Sequence, residues 1–252
     1  MDEVDSTNLL CLRTPELLST PALLVQAAVQ TKGIGRMGRQ WEGGASNHLF
    51  CSFIYHPENN SQKIPVITLL AGLALYDALR SLGATNLSIK WPNDILISGR
   101  KVAGILCQSK PVSPTNLAVV IGIGVNVQGD SMQFPRKLQK KATTLEEQGM
   151  NVAVNSVRDE IARCLETVLV RFHSGQLKAI LDEWTNKALC IGRMIRFQNK
   201  GKEQIGKITG VDMSGRLLVL GHDDRVYKVE SGEIDFAYDE DLDDSDNRGP
   251  ES

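Results

Sequence analysis

The chain has 252 residues, 42% of them hydrophobic, and a formal net charge of −2. That length allows one large cored domain with a smaller one beside it. A charge so near zero argues against a partner recruited by the global field, whether nucleic acid or an anionic membrane.

The N-terminus, MDEVDSTN, has neither an apolar signal core nor an Arg-rich transit character. The longest apolar stretches, such as 117–127, fall short of the roughly 20 residues a membrane span needs. Ser6-Thr7-Asn8 are placed to cap a short helix starting near Leu9. ALLVQAAVQ (22–30) and HLFCSFIYH (48–56) read as strands, with five glycines in the loop between them. IPVITLLAGLALYDALRSLG (64–83) reads as a long helix with Asp77, Arg80 and Ser81 on one face. LSIKW (87–91) is a strand ending at Pro92, and 101–109 and 117–127 are two more. Ser98-Gly99 makes a tight connection before Arg100. Val157, Ile161, Leu165, Val168 and Phe172 form one helical stripe, and Leu177, Ile180, Leu181 and Trp184 another. After Gly192 come short strands with glycine turns, which over roughly 45 residues suggest a small β-barrel. The acidic tail DEDLDDSDNRGPES is too poor in apolar residues to pack. The expected organisation is a large domain over 1–188, a small β-domain over 189–238 and a disordered tail over 239–252. Strands come in runs rather than alternating with helices, so the class is α+β: a mixed β-sheet backed by helices.

Cys11, Cys51, Cys107, Cys164 and Cys190 are odd in number and scattered. They read as free thiols in a reducing compartment, the cytoplasm or an organelle matrix. His48, His56, His173 and His222 form no HxH or HExxH pattern, which argues against a zinc site.

Three motifs carry chemistry. GIGRMGRQW (33–41) spells GxGxxG, and Glu58 stands about 20 residues downstream, where a dinucleotide site places an acid. That site must open directly into a helix; here WEGGASN and then a strand follow, and no Gly-Lys-Ser/Thr closes a P-loop. What remains is a glycine loop with Lys32, Arg36, Arg39 and Trp41. It fits a cover over an anionic nucleotide and, equally, a solvated basic hairpin. In KWPND (90–94), Pro92 fixes the backbone that carries Asn93 and Asp94. Lys90, Asn93, Asp94 and Lys101 surround one strand–turn–strand unit, suited to holding developing negative charge. A bare Lys–Asp pair there would be a surface ion pair worth at most about 1 kcal/mol. In IGIGVN (121–126), Gly122 and Gly124 mark close approach of a ligand or of a neighbouring backbone, and Asn126 can donate and accept.

Taken together and in order, these segments resemble the biotin–protein ligase (holocarboxylase synthetase) family. The match comprises Asp5-Ser6-Thr7-Asn8, Gln30-Thr31-Lys32-Gly33 into Gly35-Arg36 and Gly38-Arg39-x-Trp41, KWPND, Arg100-Lys101-x-x-Gly104, and Gly122-x-Gly124-x-Asn126, with 134–149 similar to the stretch that follows. It covers roughly residues 2–236, and KWPND with its trailing Lys and Gly is its most specific part. The resemblance implies a class II synthetase-like biotin/lipoate ligase fold with an SH3-like C-terminal barrel. It implies an enzyme that makes biotinyl-5′-AMP from biotin and ATP. Biotin then passes to a lysine on the carrier domain of a biotin-dependent carboxylase.

Carried over residue by residue, Ser6, Thr7, Asn8, Gln30, Gly33, Ile34, Gly35, Arg36, Lys101 and Gly104 would contact biotin. Arg36, Arg39, Trp41, Lys90, Asn93, Asp94, Lys101, Gly122, Gly124 and Asn126 would serve ATP. Lys101, Arg36 and Asp94 would carry the chemistry. Mg2+ would arrive with ATP near Asn93 and Asp94 rather than in a protein cage. The resemblance leaves a homodimer open. A lipoate–protein ligase and a non-catalytic biotin sensor are the competing readings. No helix-turn-helix precedes Asp5, which argues against a transcriptional regulator.

Two departures stand out. The family loop has Arg between its first two glycines, where this chain has Ile34, and Glu42-Gly43-Gly44 replaces the usual Ser-Pro after Trp41. Fewer cations should hold an anionic adenylate less firmly. Ile34→Arg is therefore expected to slow release of biotinyl-AMP, measured by dilution of labelled adenylate; unchanged retention would remove Ile34 from the account.

Overall fold

The computed structural model describes residues 1–41, 48–57, 64–199 and 201–230, with the backbone of 234 and 235. Glu58, the Glu42–Ser46 stretch and the tail 239–252 lie outside the described residues. In chain order the elements are β1 (Glu3–Val4), α1 (Thr7–Arg13), α2 (Pro15–Leu18), β2 (Leu24–Ala27), β3 (Val29–Gln30), β4 (Leu49–Tyr55), α3 (Ile64–Ser81), β5 (Leu87–Lys90), β6 (Asp94–Ile97), β7 (Arg100–Pro111) and β8 (Leu117–Val125). These are followed by α4 (Arg136–Gln139), α5 (Val154–His173), α6 (Leu177–Lys187), β9 (Met194–Asn199), β10 (Lys202–Val211), β11 (Leu217–Gly221), β12 (Val226–Val229) and β13 (Ile234–Asp235).

The main sheet has the order β2-β4-β8-β7-β6-β5, and every neighbouring pair in it is antiparallel. Parallel pairing is found in the short β1–β3 ladder. The single strand expected over 22–30 is two, because the chain changes partner at Ala28: β2 joins β4, and β3 joins β1. The expectation at 87–109 missed β6, a four-residue strand between the Trp91–Pro92 cis peptide and the Ser98-Gly99 turn.

Side chains on a strand alternate between faces, and β8 shows what each face is for. Val119, Ile121, Ile123 and Val125 enter the large core with α3, α5 and α6. Ala118 and Val120 face the other way and join a smaller cluster with Cys11, Leu18, Val25 and Ile54 beneath α1 and α2. Gly122 and Gly124 continue that second row and leave it bare. α3 is apolar and long enough to cross a bilayer by length and composition, but it is the central core helix, with most of its residues buried.

β9 to β13 form a five-stranded antiparallel sheet in the order β12-β11-β10-β9-β13. It shares the large core: Ile195, Phe197, Ile208, Leu217, Val219 and Val229 belong to the same cluster as the α3 side chains. α5 lays Val157, Ile161, Cys164, Leu165 and Val168 into that cluster. Ile161 is fully buried, so Ile161→Ala is expected to cost about 2–5 kcal/mol. Urea unfolding checks this, and a loss below about 1 kcal/mol would mean that the helix repacks.

Candidate active site

Two adjacent rows of the main sheet organise the site. One runs Ser52–Gly122–Leu106 across β4, β8 and β7. The next runs Phe50–Gly124–Gly104–Asp94–Lys90 across β4, β8, β7, β6 and β5. Cross-strand neighbours share a face, so the glycines of both rows form a trough on the side away from α3.

Asn8 fills the first row. A Cβ on Gly122 would stand 2.2 Å from Asn8 Oδ1. Asn8 Nδ2 donates to the Leu106 carbonyl and to Gln108 Oε1, both at 3.0 Å. Ser52 Oγ is 2.6 Å from Asn8 Oδ1 and 2.8 Å from Thr7 Oγ1. Gln30 Oε1 accepts from the Thr7 amide at 2.8 Å and the Thr7 hydroxyl at 3.1 Å. The Asn8 amide is thus consumed inside the protein; Gln30, partly exposed, is the member at its edge, and Thr7 is buried behind it. Ser6 is the buried N-cap residue of α1, but its side chain makes no capping bond, and the helix begins at Thr7 rather than near Leu9.

Trp41 fills the second row. A Cβ on Gly104 would meet Trp41 Cζ3 at 2.7 Å, and one on Gly124 would meet Cε2 at 2.7 Å. Lys101 Nζ lies 5.0 Å from the centroid of the indole, a cation–π distance. Trp41 Nε1 is buried and has no hydrogen-bond partner among the described residues.

The glycine loop is a closed hairpin. Ile34 and Gln40 bridge, the Trp41 amide donates to the Gly33 carbonyl at 2.9 Å, and the Gly35 amide donates to the Arg39 carbonyl at 2.7 Å. A Cβ on Gly33 would stand 2.8 Å from the Trp41 carbonyl oxygen, so glycine is required there. The tip carries Met37 and Gly38 at φ 56° and 71°, with Met37 exposed. Arg39 and Lys32 are exposed. Arg36 turns inward, and its Nη1 donates to Asn93 Oδ1 at 3.3 Å. Burial pushes the Arg36 pKa below the usual arginine range, the Asp94 charge opposes that shift, and Arg39 adds to it.

Lys101 reaches the same place by a bulge. In the β6–β7 register Ile95 faces Ala103 while Leu96 faces Lys101, so Val102 is an extra residue. Strict alternation would have put Lys101 on the α3 face with Ala103 and Ile105; the bulge re-aims it to the face of Asp94 and Gly104. Lys101 Nζ pairs with Asp94 Oδ1 at 2.6 Å, with the two side chains 33% and 23% exposed. Arg36 and Lys101 therefore meet at consecutive residues, Asn93 and Asp94. Asn93 is itself pinned: Nδ2 donates to the Ile105 carbonyl at 3.0 Å, and its carbonyl accepts from the Ile105 amide at 2.9 Å.

Lys90 is exposed at the end of the glycine row. Asn126 is buried, and its Nδ2 donates to the Thr143 carbonyl at 3.0 Å. The Thr143 amide donates to the Lys101 carbonyl at 2.9 Å, and the Lys101 amide to the Lys141 carbonyl at 2.8 Å. In this arrangement Asn126 steadies the segment that brackets Lys101. Ser52, Gln108 and Thr143 were missed from sequence; Ser52 alone left a sign, a hydroxyl within an apolar strand. A cleft of about 370 Å³ lined by Leu9, Leu12, Arg13, Ser109 and Lys110 shares no residue with this cluster. Among the described residues no three His, Cys, Asp or Glu side chains stand together as a metal cage.

A family model described as the Biotin/lipoate A/B protein ligase family matches residues 4–126. A Bacillus spizizenii protein named Bifunctional ligase/repressor BirA is 34% identical over 215 residues, covering 85% of this chain. The match spans 66% of that relative's length, just under two thirds. A Paracoccus denitrificans protein named Biotin--[acetyl-CoA-carboxylase] ligase is 33% identical over 221 residues, covering 86% of this chain and 91% of its own. The solved structure of the biotin protein ligase from Aquifex aeolicus in complex with biotin and ATP matches with a TM-score of 0.78 at 27% identity, over 93% of this chain and 96% of that one. The fold is that of the biotin protein ligases. The chain belongs to the biotin/lipoate A/B protein ligase family.

Ser52 is the donor within reach of Asn8 Oδ1. Ser52→Ala is expected to cost about 1–3 kcal/mol, the penalty for a buried acceptor left unpaired. Urea unfolding reads it, and a neutral substitution would show that the amide reorients freely.

Proposed function

We propose that this chain is a biotin–protein ligase that forms biotinyl-5′-AMP from biotin and ATP and transfers biotin to a lysine of a carboxylase carrier domain. The observation that carries the reading is the meeting of Arg36 and Lys101 at Asn93 and Asp94 over a glycine trough. Two anionic reactants, a carboxylate and a triphosphate, approach one another only where positive charge is already in place.

In the first half-reaction a biotin carboxylate oxygen attacks the α-phosphorus, the bond to pyrophosphate breaks, and an acyl-phosphate anhydride forms. Gln30, held by Thr7, orients the head group from the edge of the Asn8 network, and Lys101 and Arg36 neutralise the carboxylate and α-phosphate oxygens. Trp41 and the hairpin keep water from the anhydride. In the second half-reaction the carrier lysine amine attacks the acyl carbon, AMP leaves, and a proton departs from the nitrogen. Asp94 is the carboxylate at hand for that proton once Lys101 has turned to the phosphate. Magnesium fits as an ion carried by the triphosphate, with Asp94 as a single carboxylate beside it; its chemistry would be charge neutralisation. Relatives named for acetyl-CoA carboxylase support a carrier domain of that kind as partner. The described cysteines are all free thiols, which supports a reducing compartment.

Pyrophosphate release with ATP and biotin, compared with lipoate, tests the substrate; labelled transfer to an isolated carrier domain tests the second step and excludes a sensor. For Asp94→Asn, transfer should fall by about 10²–10⁴ and adenylation by much less. Single-turnover assays separate the two steps, and equal losses would assign Asp94 to holding Lys101.

A further inference from the structure

The turn between β10 and β11 is built as a rigid object. Asp212 Oδ1 accepts from the Ser214 amide at 2.8 Å and the Arg216 amide at 3.0 Å. Its Oδ2 accepts from Arg216 Nε at 2.9 Å and Nη2 at 2.7 Å. The Asp212 amide donates to the Arg216 carbonyl and the Gly215 amide to the Asp212 carbonyl, both at 2.9 Å. Four bonds to the Asp212 carboxylate and two between backbone groups fix its shape within five residues.

The tip of this turn is pressed into the main domain. Gly215 has φ +79°, and a Cβ there would meet the Pro65 carbonyl carbon at 3.0 Å and the Val66 amide nitrogen at 3.1 Å, in the first turn of α3. The Gly215 carbonyl accepts from Trp91 Nε1 at 3.3 Å. Trp91 is buried and stands between Lys90 and the Pro92-Asn93-Asp94 turn that gathers Arg36 and Lys101.

We propose that the Asp212–Arg216 turn is a positioning element for Asn93 and Asp94, acting through Trp91, so that the C-terminal sheet sets the charged half of the site. This rests on the ligase reading above. The head-group network, Thr7, Asn8, Gln30, Ser52 and Gln108, has no bond to the turn among the described contacts. Loosening the turn should therefore weaken the handling of ATP and spare biotin.

The test uses the whole chain carrying Trp91→Phe, which removes the indole donor, and separately Asp212→Asn, which loosens the turn from within. Two readouts are needed. The first is amide hydrogen exchange at Ile105, bonded to the Asn93 carbonyl, against Thr7, bonded to Gln30, as internal reference. The second is the Michaelis constant for ATP against that for biotin in pyrophosphate release. Exchange at Ile105 should quicken by about tenfold while Thr7 stays unchanged. The ATP constant should rise about three- to tenfold, with biotin's held within about twofold. Unchanged exchange at Ile105 in both variants would overturn the proposal. So would equal acceleration at Ile105 and Thr7, because that is loss of stability rather than of position. Absence of pyrophosphate from the unmodified chain would sink the ligase reading instead, and the exchange pair would then decide the positioning role by itself.

Discussion

Everything at this site depends on one geometric fact: a strand has two faces, and β7 and β8 use them for different purposes. Ile121, Ile123, Ala103 and Ile105 must face α3 to bury the core. The alternate positions then have to face outward, and there the chain places Gly122, Gly124 and Gly104. A β-branched residue would favour the strand conformation at each of these positions. Glycine weakens the strand, and the compensation is room for Asn8 and for the Trp41 indole. The bulge at Val102 belongs to the same economy, because it moves Lys101 out of the core face without shifting Ala103 or Ile105 from it.

Electrostatics follow from that arrangement. Arg36 and Lys101 come from opposite directions, one from a hairpin tip and one from a strand. Two cations at one place repel, and Asp94 offsets this: it pairs with Lys101 and its charge also favours the charged form of Arg36, which donates to Asn93. Arg36 is half-buried, and burial pushes its pKa down while the Asp94 charge opposes that shift. A partly desolvated guanidinium interacts with an incoming oxyanion more strongly than one fully in water.

Much of this was legible in the sequence. Alternation marked β4, β7 and β8, and helical periodicity marked α3, α5 and α6. The order of KWPND, Lys101, Gly104 and the GIGVN glycines singled out residues that the structure gathers on adjoining strands. The unread parts share a physical cause, namely that they depend on pairing between distant segments. The division of 22–30 into two strands depends on β1 and β4 competing for partners. The bulge depends on the register against β6. Whether 33–41 was a cover or a hairpin could not be settled from its glycines, because Trp41 closes it by packing on residues some 60 and 80 positions away in the chain. Asn126 read as a ligand residue from its donor and acceptor; the structure commits its Nδ2 to Thr143.

The two halves of the site are held by different kinds of bond, and this difference has consequences. On the Asn8 side Thr7, Asn8 and Ser52 are nearly inaccessible, and their hydrogen bonds close on one another. A saturated buried network is stiff, because any displaced member leaves a polar group unpaired in a low dielectric. On the charged side Asp94 and Lys101 stay partly open to water, so exchanging one partner for another costs little. The ligase reaction proposed above, which would recognise a neutral ring system and then redistribute charge in two successive steps, would use that division. In that reading, closed hydrogen bonds would keep recognition rigid, and an ion pair already weakened by solvent would let Lys101 pass from Asp94 to a phosphate. The closed network lies above Gly122 and the open ion pair beside Gly104, one row apart on the same strands.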